Sequence, residues 1–114
     1  MKINASLIAD LASVPSRIRA IEALGYDAAF SAEINSDPFF PLLLAAEHSE
    51  RVGLATAISV AFARTPMTVA NVAHDLNQYS RGRFRLGLGS QIEPHITKRF
   101  SMPGDMVTVG YSVA

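Results

Sequence analysis

Leu54-Ala55-Thr56-Ala57-Ile58-Ser59-Val60 is uncharged and almost free of polar alternation. A strand buried on both faces of a parallel sheet has that pattern. The strand is expected to run over Arg51–Val60. Just beyond it, Thr65-Pro66 opens a helix: a capping hydroxyl, then proline in the first helical position. Val69, Val72, Ala73 and Leu76 give this helix one apolar stripe, Ser80-Arg81-Gly82 stops it, and Arg83–Leu88 reads as the next strand.

The same alternation runs back toward the N-terminus. Phe39–Glu50 reads as a helix entered at Asp37-Pro38, and Tyr26–Ala32 as a strand. A first helix carries Val14, Ile18, Ile21 and Leu24 at helical spacing and ends at Gly25. Its expected cap is Ser13, a contribution of about 1 kcal/mol. Lys2–Ile8 is the first strand. Strand onsets lie about 24 to 30 residues apart, the spacing of βαβ units. Four parallel strands in the order 1-2-3-4 follow, in an α/β fold with helices on one face.

Composition narrows the function. The 114 residues are 49% hydrophobic and 18% charged, enough to bury a core. Ten basic residues balance ten acidic ones, so neither a nucleic-acid coat nor an acidic sponge is expected. The longest apolar run, Phe39 to Ala46, is far shorter than the roughly 20 residues that span a bilayer, so no membrane span is expected. The absence of cysteine rules out thiol catalysis and disulfides and suits a reducing, cytoplasmic setting. No basic stretch precedes an apolar one at the N-terminus, so no secretory leader is expected. The two halves differ in charge: residues 1–57 carry net −3 and residues 58–114 net +3. Much of the excess is Arg81, Arg83, Arg85, Lys98 and Arg99, read either as a solvated face or as an anion site.

Ligands of parallel α/β sheets sit beyond the carboxyl ends of the strands. Glu33, Asn35 and Asp37 follow the second strand; Ser59, Phe62, Ala63 and Arg64 follow the third. Gly87-Leu88-Gly89-Ser90-Gln91 follows the fourth. Its glycines either relieve crowding or let free N–H groups approach a phosphate. The pattern lacks the third glycine of a dinucleotide fingerprint and the lysine of a P-loop. Of three histidines, only His95 falls near this loop, and none has metal-ligand spacing, so no metal is expected.

Three ordered runs carry a resemblance: Thr56-Ala57-Ile58-Ser59-Val60-Ala61-Phe62-Ala63-Arg64-Thr65-Pro66-Met67-Thr68, then Ser80 to Gln91, then Pro94-His95-Ile96-Thr97-Lys98-Arg99-Phe100-Ser101-Met102-Pro103. Together with Leu11–Pro15 and the Glu33–Pro38 loop, they resemble the N-terminal part of a luciferase-like oxidoreductase or monooxygenase that uses coenzyme F420. The resemblance covers residues 1–103; residues 104–114 form a divergent tail without an obvious partner.

The resemblance implies the N-terminal half of a (β/α)8 TIM barrel, hydride transfer to or from a small-molecule substrate, and coenzyme F420, with FMN as the alternative. Glu33, Ala57, Ile58, Ser59, Gly89, Ser90 and Gln91 match its cofactor positions, with a cis peptide implied at Ala57–Ile58. Relatives with a catalytic histidine place it where Ile34 stands, so Asn35 and His95 are the remaining catalytic candidates. A full barrel needs roughly 200 or more residues. Four strands would leave Leu54, Ile58, Leu86 and Leu88 uncovered, from which self-association into a homo-oligomer is expected. A non-catalytic half-barrel and a small phosphate-binding α/β module are the competing readings.

Overall fold

The computed structural model describes residues 2–7, 10–34 and 36–89, and the backbone of 111–113. The elements alternate along the chain as β1 (Asn4–Ser6), α1 (Val14–Ala23), β2 (Ala28–Ser31), α2 (Phe39–Glu47), β3 (Gly53–Thr56), β4 (Ser59–Val60), α3 (Pro66–Tyr79) and β5 (Phe84–Gly89). β6 (Tyr111–Val113) follows. β1, β2, β3 and β5 are parallel neighbours in that order. Ala5, Ala29, Leu54 and Phe84 share one cross-strand row.

The helices pack on one face. Val14, Ile18 and Ile21 of α1, Leu42, Ala45 and Ala46 of α2, and Val69 and Leu76 of α3 close over Ala29, Leu54, Phe84 and Leu86. Val14, Ile18 and Ile21 of the α1 stripe and Val69 and Leu76 of the α3 stripe are buried as their spacing marks. Val72 and Ala73 are half-buried, and Leu24, past the end of α1, is 76% exposed. Gly25 ends α1 at φ +85°, a conformation costly for any residue with a Cβ. Thr65 caps α3 by accepting the Thr68 N–H at 3.2 Å. Asp37 Oδ1 accepts the N–H groups of Phe39 and Phe40 at 2.7 and 3.3 Å and opens α2.

Four local expectations are corrected. Ser13 does not cap α1; Leu11–Ser13 forms a 3-10 turn running straight into the helix, and the Ser13 hydroxyl donates to Asp10 Oδ1 at 2.6 Å. The third strand is not continuous, being split into β3 and β4 by a cis Ala57–Ile58 peptide. Nor is it buried on both faces, since Gly53 and Ala55 are half-buried and Ala57 is exposed on the side without helices. Leu54, Leu86 and Leu88 are not the uncovered residues; they are 1%, 8% and 8% exposed, because their row faces the helices. The open face instead carries Ser6, Phe30, Ala55 and Arg85, which are aligned across the sheet.

The tail also differs from expectation. β6 runs antiparallel to β5, pairing Leu86 with Val113 and Leu88 with Tyr111. It occupies the β5 edge away from β3 and β4.

Candidate active site

The interruption between β3 and β4 shapes the carboxyl end of the sheet. Ala55 pairs with Arg85 and Ser59 with Leu88, so four steps on one strand oppose three on the other. That one-residue excess is a bulge, a common device for re-aiming a strand next to a site. Across the gap the Thr56 hydroxyl replaces the missing ladder. Its Oγ1 accepts the Gly87 N–H and donates to the Gly87 carbonyl, both at 2.8 Å. The other side of the bulge is held by β2 and its loop. The Ala57 N–H donates to the Ser31 carbonyl at 2.8 Å, and the Glu33 N–H donates to the Ile58 carbonyl at 3.0 Å.

Two glycines permit this approach. A Cβ on Gly87 would lie 2.3 Å from the Thr56 carbonyl oxygen, which is backbone and cannot yield. A Cβ on Gly89 would lie 1.9 Å from Ile58 Cδ1, a side-chain end that can swing away. Ile58 therefore rests directly on Gly89. The result is a small apolar shelf with Ala57 exposed and Ile58 half-buried, backed by the fully buried Ser59.

Behind the shelf lies an ion cluster. Glu33 is 5% exposed. Its Oε1 accepts the Val60 N–H at 2.7 Å and Arg64 Nη1 at 2.8 Å, and its Oε2 accepts Arg64 Nη2 at 2.8 Å. Arg64 Nη2 also donates to Asp37 Oδ2 at 2.9 Å, and Nη1 to the Ser59 hydroxyl at 3.4 Å. The guanidinium lies 5.1 Å from the centre of the Phe39 ring. Hydrogen bonds donated to Glu33 hold the Arg64 pKa above its ordinary value; burial opposes them and Asp37 reinforces them.

Of the residues singled out in the sequence, Glu33, Ala57, Ile58, Ser59 and Gly89 come together at one end of the sheet. Ala57 and Ile58 are surface; Glu33, Ser59 and Gly89 stand behind them. Asn35, Ser90, Gln91 and His95 lie outside the described residues. Asp37 and Arg64, placed by the sequence in the strand-end loops without a role, and Thr56, which the sequence does not single out, complete the site. Arg64 was legible in principle as a lone arginine one position ahead of a helix cap, near two acids that follow the preceding strand.

Part of the basic run does other work. Arg81 and Arg83 precede β5 and so lie at the opposite end of the sheet. Arg83 donates to the carbonyls of Ala46, Ser49, Val52 and Ser80 and to the Ser49 hydroxyl. Burial lowers its pKa, with Arg81 adding to that and Glu22 opposing it. Arg83 fastens the end of α2 to β3 and is not an anion ligand.

A cavity of about 870 Å³ between α2 and α3 is lined by Phe39, Phe40, Leu43, Val72 and Tyr79 and reaches the ion cluster at Asp37 and Arg64. It flanks the helices and does not open on the shelf residues. Among the described residues there is no cluster of acids and histidines able to hold a metal ion. No described helix is long and apolar enough to cross a membrane.

The model of the luciferase-like monooxygenase family matches residues 3–107. An uncharacterized protein of Mycobacterium tuberculosis is 55% identical over 103 residues, which make up 90% of this chain and 30% of that protein. This chain thus spans about a third of the length of the curated relatives it matches. Three solved structures share the fold. Monooxygenase RslO1 from Streptomyces bottropensis superposes with a TM-score of 0.85 at 21% identity, over 94% of this chain and 38% of that one. The coenzyme F420-dependent tetrahydromethanopterin reductase from Methanopyrus kandleri gives 0.77 at 22% identity, over 90% and 30%. The oxygenating constituent of 3,6-diketocamphane monooxygenase from Pseudomonas putida, in complex with FMN, gives 0.79 at 16% identity, over 90% and 33%. Parallel strands, alternating helices and the family match agree: the chain belongs to the luciferase-like monooxygenase family and has the fold of part of its barrel.

Proposed function

We propose that this chain carries the coenzyme shelf of a flavin- or deazaflavin-dependent oxidoreductase. The observation that carries the reading is the shelf itself. Ala57 and Ile58 present apolar surface at the carboxyl end of the sheet, and Ile58 is seated on a glycine that no other residue could replace without displacing it. A flat ring needs such a surface. Coenzyme F420 is the first choice and FMN the alternative; one structural neighbour is F420-dependent and another is in complex with FMN. When bound, such a coenzyme supplies hydride transfer, and the protein supplies seating and orientation.

In this reading Ala57 and Ile58 touch the ring, while Ser59 and Glu33 hold the shelf from behind. Gly89, Ser90 and Gln91 lie toward the anionic tail, where backbone N–H groups serve a phosphate. Asn35 and His95 are the candidates for proton transfer to a small-molecule substrate. The open face around Phe30 and the exposed Phe40 and Met67 lead to self-association. A cytoplasmic setting belongs to the same proposal.

Titration of the chain with F420, FMN and a nicotinamide dinucleotide tests it. Binding of F420 or FMN in preference to the nicotinamide is expected. Gly89→Ala should weaken that binding about tenfold by pushing Ile58 off its seat, a loss of about 1.4 kcal/mol. Preference for the nicotinamide, or affinity unmoved by Gly89→Ala, would remove the assignment.

A further inference from the structure

One guanidinium ties together three pieces of the sheet's carboxyl edge. Arg64 takes both oxygens of Glu33 in a two-pronged pair and one oxygen of Asp37. Glu33 then grips the shelf on both sides of Ser59: its N–H holds the Ile58 carbonyl and its carboxylate holds the Val60 N–H. Asp37 spends its other oxygen on the first N–H groups of α2. The loop between β2 and α2 is thus pinned at both ends to the residue that follows β4.

An ordinary surface ion pair would carry little weight, since it is screened and costs side-chain entropy. This pair is different. The side chains of Arg64 and Glu33 are only 16% and 7% exposed, and the pairing is bidentate. Arg64 also packs over Phe39, so its position is fixed by stacking as well as by charge. Lysine offers neither the fork nor the flat face.

We propose that Arg64 is the positioning residue of the coenzyme shelf. It orients the Glu33 carboxylate, and through Glu33 it fixes the Ile58 carbonyl and the Val60 N–H. The Ala57–Ile58 surface then acts as one unit with Glu33 and Asp37. This rests on the shelf reading above, but the clamp can be measured without any coenzyme.

Arg64→Met keeps an unbranched, largely apolar stem and removes every donor. Arg64→Lys keeps the charge and loses the fork. Amide hydrogen exchange reads the clamp directly, with the Leu54 N–H, bonded to the Arg83 carbonyl, as the reference for global opening. In Arg64→Met the protection of the Val60 and Phe39 amides should fall about tenfold or more while Leu54 keeps its own. Arg64→Lys should fall between, and it decides on the same criterion if Arg64→Met does not fold. Val60 protection unchanged, or falling in step with Leu54, would overturn the clamp.

Titration with F420 and FMN then separates positioning from bulk stability. Arg64→Lys should weaken coenzyme binding by the folded chain about fivefold or more, measured well below its Tm. A lowered Tm with unchanged affinity of the folded chain would overturn the positioning role. A wild-type chain that binds neither coenzyme refutes the shelf reading; the clamp is then decided by amide protection alone.

Discussion

Thr56 and Gly87 show how much of this site depends on single atoms. The Thr56 hydroxyl is the only partner the bulge offers to the Gly87 N–H and carbonyl on that side among the described hydrogen bonds. Thr56→Val keeps the shape and leaves both groups unpaired, so a loss of about 2 kcal/mol is expected from urea unfolding. Gly87→Ala should cost about 3 kcal/mol or prevent folding, because its Cβ meets backbone and cannot be accommodated by a rotamer change. If Gly87→Ala were as stable as the parent chain, the close approach of β5 to the bulge would be wrong. Neither residue's role was legible beforehand. Threonine in a strand is ordinary, and a G-x-G run reads equally as crowding relief or as an anion cradle. Only the register offset between Ala55 and Ser59 shows why glycine is needed.

The elements were legible because their signals are local. Apolar spacing marked α1 and α3, Thr65-Pro66 marked a helix start, and Gly25 marked a helix end. The break at Ala57–Ile58 was not visible in the pattern of the strand; only the family resemblance pointed there. Ser13 was misread because a serine ahead of a helix can serve Asp10 as readily as an N–H. β6 was missed because three residues carry no periodicity.

Long-range ties were also hidden, and Glu22 is the clearest. From α1 its carboxylate accepts the N–H groups of Glu50, Arg51 and Val52 at 2.8–3.1 Å and so pins the entry to β3. Burial raises the Glu22 pKa, but these backbone hydrogen bonds and the nearby Arg51 outweigh it and leave the value below the ordinary one. A group with a lowered folded-state pKa stabilises above its unfolded value and loses that contribution as pH falls through the folded value. Glu22→Gln should therefore be less stable than the parent chain at about pH 7, and the gap should close toward about pH 3. A gap that stays constant with pH would show that the carboxylate charge contributes nothing.

Among the described residues, helices cover the sheet on one face only. Its helix-free face carries small and polar residues around Phe30 and Arg85, while Phe40, Met67 and Tyr79 are 60%, 70% and 52% exposed on the helices. Self-association through these exposed side chains is the expectation at this scale. Sedimentation velocity should show association that grows with concentration; a monomer at all concentrations would count against it.

Among the described residues, two places could take the coenzyme. The shelf at Ala57–Val60 is backed by buried polar groups, whereas the cavity between α2 and α3 is walled by Phe39, Phe40, Leu43 and Val72 together with Asp37, Arg64, Asp75 and Arg81. Amide chemical shifts followed by NMR during titration with F420 and FMN distinguish them. The account predicts the largest changes at Glu33, Ile58, Ser59, Val60 and Gly89, with Leu43 and Tyr79 nearly still. Changes confined to Phe40, Leu43, Val72 and Tyr79, with the shelf amides unmoved, would contradict it.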